Sequence, residues 1–365
     1  DTTRVYIDGT KIEANANKYK FVWKGSVEKF RVKLYTKITK TIEQINERLE
    51  MEGVYFTTKE RYTAKDLETI ESYLEEAIER EGMRFVYGKG TRKNAIQREY
   101  EAISEYRKKL MEYEEHLTII GENRTSYAKT DHDATFMRMK EDHMKNGQLK
   151  AGYNVQIGVA NEYILHVDVY QNRSDYKTFI PFLEGYHEAY GEYPKYPVAD
   201  AGYGGLNNYR YAKMNEMELV QKYPMYRKET RDLKYKEDPN RPVNFKRDEE
   251  GHYYDAFGER LVYRWHSKKG HDVYEAPISQ KRYDIHEELW AYHREVQEQL
   301  ESAKGIELRI QRSIQVEGAF GVIKEDFHIR RFRRRGIQNV KFEFLLVSIG
   351  YNLSKYHNRK YRIPA

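Results

Sequence analysis

Three acidic residues and one lysine have the types and spacing to do chemistry. Glu317, Phe320 and Lys324 recur at intervals of three and four residues, so a helix there carries a carboxylate and an ammonium on one stripe. Asp8 follows the alternating run Arg4-Val5-Tyr6-Ile7 and precedes Gly9; taken alone, an aspartate before glycine reads as a turn former. Asp200 follows the apolar run Tyr196-Pro197-Val198-Ala199 and precedes Ala201-Gly202-Tyr203-Gly204-Gly205. Both aspartates are expected at strand ends, where α/β sheets place functional groups. If the first and fourth strands are neighbours, the two converge, and a helix alongside adds Glu317. Converging carboxylates repel unless a cation lies between them. Oxygen donors favour Mg2+ or Mn2+ over zinc, and two such ions suit phosphodiester cleavage and strand transfer. Next to this helix stand Arg330, Arg331, Arg333, Arg334 and Arg335, too dense to be neutralised by neighbours in sequence, and a second basic segment spans 355–362. Both suit phosphate contacts.

These residues need a scaffold, and the composition permits one. The chain has 365 residues, 39% hydrophobic and 33% charged, enough for more than one domain with a substantial core. No run approaches the roughly 20 apolar residues that cross a bilayer, and no charged-then-apolar leader is present; a soluble protein without membrane partners is expected. Zero cysteines exclude disulfides, thiolate metal sites and a cysteine nucleophile. The net charge of +6 is small, so its distribution matters more than its total. The 34 tyrosines are expected mainly as amphipathic packing in seams. The chain starts at Asp1 without an initiator Met, as a fragment would.

Periodicity predicts an α/β protein with two insertions. A first strand in 1–25 is expected to break near Gly9. Three amphipathic helices follow in 26–128, on Val27, Phe30, Leu34, Ile38, Ile42, Ile45 and Leu49, on Leu67, Ile70, Leu74 and Ile78 behind a Thr63 cap, and on Ile96 through Leu117. They predict a helical bundle or antiparallel coiled coil with a solvated charged face. The core resumes over 129–228. Asp131, His132, Asp133 and His143 could ligate a metal, but a loop bonding to itself is the simpler reading. Runs at 152–160 and 163–170 predict a hairpin, followed by a helix over 174–190, the strand before Asp200, a helix over 206–216 and a strand over 218–222. The glycines at 202, 204 and 205 allow close approach of backbone or ligand but do not match phosphate-cradling fingerprints. A β-rich insertion over 229–282 contains His252, His266 and His271, whose spacing supplies no zinc ligand pair. The part 283–365 brings a helix over 284–302, the Glu317 helix, and an apolar helix or strand over 340–353.

Taken together, Ile7-Asp8-Gly9-Thr10, Ala199-Asp200-Ala201-Gly202-Tyr203 and Arg312-x4-Glu317-x6-Lys324 resemble bacterial insertion-sequence transposases of the DDE superfamily. The resemblance covers almost the entire chain and implies an RNase H-like mixed sheet flanked by helices. It implies that Asp8, Asp200 and Glu317 bind two metal ions and that Lys324 contacts DNA phosphate. It further implies metal-dependent DNA strand cleavage and transfer, inverted-repeat ends and target DNA as partners, a homodimer on DNA, and a cytoplasmic, nucleoid-associated bacterial protein. The related signature usually runs Tyr-x2-Arg-x3-Glu-x6-Lys; here Arg312 lies one residue further from Glu317 and no Tyr takes the matching place. Arg309 and Arg312 therefore stay open as phosphate ligands. The second insertion lacks the cysteine cluster common in such proteins, which argues against a zinc knuckle there. With the chain opening at the first catalytic strand, part of end recognition is expected to be missing. The alternatives are a catalytically inactive DNA-binding derivative and a stand-alone RNase H-like nuclease.

Overall fold

The computed structural model describes residues 2–88, 92–139 and 147–361, so His143 and Arg362 lie outside the described residues. The chain divides into two compact units, one formed by 1–14, 137–148 and 152–365 and the other by 15–136 and 149–151.

The first unit is organised around β1 (Arg4–Glu13), whose Val5, Ile7 and Ile12 are buried. This strand runs unbroken through Asp8 and Gly9, which corrects the expected break: Asp8 sits in mid-strand. Gly9 keeps the strand going because it stands opposite Gln156 in the sheet. A Cβ there would lie 2.0 Å from Gln156 Nε2, so the missing side chain is filled by a neighbour's amide rather than used for a turn.

The second unit follows. In it β2 (Phe21–Trp23) leads into α1 (Lys24–Leu49), α2 (Ala64–Arg80) and α3 (Ala95–Ile120), and β3 (Ser126–Ala128) returns antiparallel to β2. The periodic stripe forms one core: Leu34, Ile38, Ile42 and Ile45 of α1 meet Leu67, Ile70 and Leu74 of α2 and Ile103 and Leu110 of α3. Phe30, expected on that stripe, is exposed. Thr63 caps α2 as its sequence suggests, in a capping box: Asp66 N–H donates to Thr63 Oγ1 at 3.3 Å and Thr63 N–H to Asp66 Oδ2 at 2.7 Å. The charged face is more than solvated. Arg107 bridges Glu71 at 2.9 Å and Glu68 at 2.6 Å, and Arg48 bridges Glu99 at 2.7 Å, tying helix to helix. The Asp131-His132-Asp133 turn bonds to itself, Asp131 N–H to Ala128 O and Ala134 N–H to Asp131 O, both at 3.1 Å.

β4 (Thr135–Arg138) carries the chain back towards the first unit. There β5 (Leu149–Ala160) and β6 (Tyr163–Tyr170) form the expected hairpin, turned by Asn161 and Glu162, both in the left-handed region with φ 52° and 69°. A single 3₁₀ turn over Asp175–Lys177 precedes α4 (Phe179–Tyr190), so the helix starts later than expected from 174. Then come β7 (Tyr196–Ala199), α5 (Leu206–Met214) and the short β8 (Val220–Gln221). The six-stranded sheet has the order β4-β5-β1-β7-β8, with β6 also pairing β5. β5 runs antiparallel to β1, whereas β7 runs parallel to β1 and β8 parallel to β7, so this is an RNase H-like mixed sheet flanked by helices.

After β8, α6 (Tyr226–Arg231) and α7 (Leu233–Lys236) lead to the small hairpin β9 (Lys246–Arg247) and β10 (Tyr253–Tyr254). A meander of β11 (Val262–His266), β12 (Asp272–Glu275) and β13 (Arg282–Ile285) follows. The last two residues of β13, Asp284 and Ile285, are expected from the sequence as the start of a helix. Ile285 is drawn into a buried cluster with Tyr253, Leu261 and Ala276, and α8 (Glu287–Glu301) begins only after it. α9 (Ala303–Arg312) is capped by Ser302, which accepts from Gly305 N–H at 3.0 Å. A Cβ on Gly305 would lie 1.9 Å from Gln299 O, so only glycine lets α9 leave α8 this closely. The last helix, α10 (Ile337–Tyr361), settles the helix-or-strand alternative, with Val340, Phe344, Ser348 and Tyr351 buried along one face.

Candidate active site

Asp8 and Asp200 are brought level by strand register. β1 and β7 pair Arg4 with Tyr196, Val5 with Pro197 and Tyr6 with Val198. Two residues beyond the last pair on each strand stand Asp8 and Asp200, on the same face of neighbouring parallel strands whose axes lie roughly 4.8 Å apart. The carboxylates therefore converge although Asp8 is not at a strand end. Asp8 Oδ1 accepts from Gly9 N–H at 2.8 Å, and Asp200 Oδ1 accepts from Gly202 N–H at 2.7 Å, which orients each acid by its own backbone.

Glu317 arrives on the helical segment that continues α9. Its backbone is not regular α-helix: Ser313–Glu317 and Val322–Asp326 are π-helical turns on either side of α-helical Gly318–Gly321. Such turns shift the phase of a helix and are frequent at functional sites. Even so, Glu317, Phe320, Gly321 and Lys324 line one cleft of about 370 Å³ together with Asp8, Gly9 and Thr10, as the stripe predicts. Arg312 joins the acids: Nη1 stands 3.3 Å from Asp8 Oδ2 and Nη2 3.6 Å from Glu317 Oε1. Ser313 Oγ also donates to Glu317 Oε1 at 3.1 Å. Arg312 thus places its positive charge between Asp8 and Glu317. Its side chain is only 16% exposed, while that of Glu317 is 61% exposed and open to a ligand.

Sequence reasoning missed a fourth acid. Asp175, in the turn before α4, lies against the same glycine as Asp200: a Cβ on Gly202 would be 2.9 Å from Asp200 Oδ1 and 3.6 Å from Asp175 Oδ2. A buried amide network holds it. Asp175 Oδ1 accepts from Asn154 Nδ2 at 2.8 Å and Gln156 Nε2 at 3.0 Å, and the fully buried Tyr203 hydroxyl donates to Gln156 Oε1. Burial first, then Asp175, Asp8 and Asp200, push the Tyr203 pKa far up, so it stays a donor. The legible signal was the alternation of Asn154 and Gln156 in an otherwise apolar strand, since buried amides require partners. The glycines after Asp200 make room for the protein itself: Cβ atoms on Gly204 and Gly205 would meet Tyr209 Oη at 2.9 Å and Tyr176 Cε2 at 2.2 Å.

A cationic group also escaped the sequence reading. Lys222 follows β8, one residue beyond the Ala199–Gln221 pair and so level with Asp200. Its pKa is lowered, first by desolvation and then by Arg309, Arg312, Arg227 and Arg231. Crowded cations of this kind are relieved by an anion. The arginine run is exposed but finds tertiary acids. Arg330 pairs with Glu325 at 2.5 Å and Arg331 with Glu13 at 3.8 Å, while the backbone N–H groups of Arg333 and Arg334 donate to Glu343 at 3.0 and 2.9 Å. Phe332 anchors the run, buried edge-on against Tyr153 with centroids 5.9 Å apart. In the second basic segment Lys355 and Arg359 both reach Glu162 at 3.5 Å.

The mixed sheet thus carries two aspartates at one level, with a glutamate on a late helix beside the first. Residues 124–353 match the family described as the transposase DDE domain, and the chain belongs to that family. No curated protein and no solved structure matches the chain significantly. Membership makes this a nucleic-acid-processing, DNA-binding protein of transposition and recombination, in a family that normally uses divalent metal ions. Among the described residues no helix is long and apolar enough to cross a membrane.

Proposed function

We propose that this chain cleaves DNA at the ends of an insertion sequence and transfers the freed strand to target DNA, in a metal-dependent reaction. The observation that carries the proposal is the register that levels Asp8 with Asp200, with Glu317 drawn to Asp8 through Arg312. The donor set is oxygen only, which fits Mg2+ or Mn2+. Asp8, Asp200 and Glu317 would hold two ions. When bound, these activate an attacking oxygen and stabilise a leaving one.

The chain's own residues then have distinct work. Lys324, across the cleft from Asp8, would hold a phosphate of the cleaved strand, and Lys222 with Arg309 a second one. Arg330, Arg331, Arg333, Arg334 and Arg335 would follow the flanking duplex of a bacterial insertion-sequence end, so binding weakens steeply with salt. In cleavage, water oxygen bonds to phosphorus as the bond to O3′ breaks, leaving a 3′-hydroxyl and a 5′-phosphate. In transfer, that hydroxyl attacks a target phosphodiester and one phosphodiester replaces another. Two copies on DNA would hold two ends together, in the cytoplasm at the nucleoid.

The test is a nicking and joining assay on DNA carrying the element ends, with Mg2+ or Mn2+. Cleavage and joining that vanish in Glu317→Gln support the proposal. Cleavage without joining would make the protein an RNase H-like nuclease, and tight DNA binding without metal-dependent cleavage a catalytically inactive derivative.

A further inference from the structure

The second insertion brings together two histidines that are fifteen residues apart in sequence. β12 and β13 pair Asp272 with Ile285 and Val273 with Asp284, so one step outward the same register sets His271 opposite His286. Asp284, two residues before His286, shares its face of the strand. One donor atom from each of His271, Asp284 and His286 lies within 4.8 Å of the others. The rings of the two histidines sit with centroids 4.4 Å apart, tilted by 38°.

Hydrogen bonding does not account for this arrangement. His271 is 9% exposed, yet its Nδ1 has no hydrogen-bond partner, and its Nε2 stands 3.6 Å from Asp284 Oδ1, beyond hydrogen-bond length. Two donors held about 2.0–2.1 Å from one tetrahedral ion are separated by about 3.4 Å. The Nε2 to Oδ1 spacing is thus that of two ligands of a shared metal. Each residue also rests on fixed backbone. His271 O closes the β11–β12 turn by accepting from Ser267 N–H at 2.8 Å, Ile285 is buried, and His286 O accepts the first bond of α8 from Trp290 N–H at 2.9 Å. The side chain of Asp284 is 59% exposed, leaving a route for an ion and room for water as a fourth ligand.

We propose that His271, Asp284 and His286 form a zinc site that ties the β12–β13 edge to the start of α8. Two imidazoles and one carboxylate select a borderline transition ion over the hard Mg2+ and Mn2+ suited to the all-carboxylate group. The site is separate in composition from the catalytic group and does not depend on the proposed DNA chemistry.

The experiment titrates the full-length chain with Zn2+ against a chromophoric chelator, and in parallel with Co2+ by absorption. One equivalent of tightly bound Zn2+, kept in an Asp8→Asn, Glu317→Gln double variant and weakened about 100-fold or more in His271→Gln and His286→Gln, is the expected result. His286→Cys guards against misfolded variants: it should bind Co2+ and add a thiolate-to-cobalt charge-transfer band absent from the parent. The proposal is overturned if the parent binds no Zn2+ more tightly than Mn2+, if the histidine variants bind it unchanged, or if the acid-group double variant abolishes binding.

Discussion

Two clusters of donor side chains lie in one unit of this molecule, and they are built in opposite ways. The acid group gathers Asp8, Asp200 and Glu317 from two parallel strands and a helix and relieves their repulsion with Arg312. The His271, Asp284 and His286 cluster comes from one antiparallel register, with nitrogen donors and one buried, partly unpaired ring. The first keeps an exposed glutamate beside an open cleft, as the proposed exchange of substrate and ions would require. The second seats its donors on a hairpin turn and a helix start, as a structural tie demands. Under the two proposals, donor type and backing separate a site that would react from one that would hold.

The largest expected effect tests the acid group alone. Asp8→Asn should lower metal-dependent cleavage on the order of 10³-fold or more, because charge stabilisation worth several kcal/mol is lost, while Zn2+ uptake stays at the parent level. Cleavage within tenfold of the parent in a nicking assay would break the comparison. Next, His271→Gln should cost about 100-fold in Zn2+ affinity with Mn2+ binding unchanged; a titration in which both metals weaken together would mean the clusters are not independent. Gly9→Ala should destabilise the first unit by about 1–3 kcal/mol in urea unfolding, since the added methyl meets the Gln156 amide. Pairing it with Gln156→Ala should recover part of that loss, and no recovery would place the strain elsewhere.

The smallest effect uses another histidine of α8 as a reference. His293 stacks face to face on Tyr223, centroids 4.1 Å apart, and burial lowers its pKa from 6.5 to about 4. The fold therefore holds the neutral ring. Its contribution to stability is full above pH 6.5 and is lost as pH falls from 6.5 towards 4, because the unfolded chain takes up the proton first. His293→Phe should flatten denaturation midpoints across that window, and an unchanged slope would show that His293 is not the group titrating.

The residues proposed for the acid chemistry are legible in the sequence because they follow local rules. An apolar run ending in Asp200, a helical stripe from Glu317 to Lys324 and the hairpin over 149–170 are short-range patterns that backbone geometry enforces. The mid-strand place of Asp8 is not legible in the sequence, because Gly9 reads as a turn residue and only the sheet sets Gln156 in the space of its missing side chain. Asp175 is hidden for a related reason: it lies in a turn, its partners Asn154 and Gln156 lie on β5, and only the tertiary fold brings them together.

What the amino-acid sequence determined by itself is most of the long helices, the hairpin and the apolar run that Asp200 closes, since periods of 3.6 and 2 and the run of apolar residues are local properties. Tertiary structure alone decided the parallel register that levels Asp8 with Asp200, the use of Arg312 between acids, and the meeting of His271 with Asp284 and His286. Those depend on which strand pairs with which and at what offset, and a choice between offsets is made by burial and hydrogen bonding across the whole sheet.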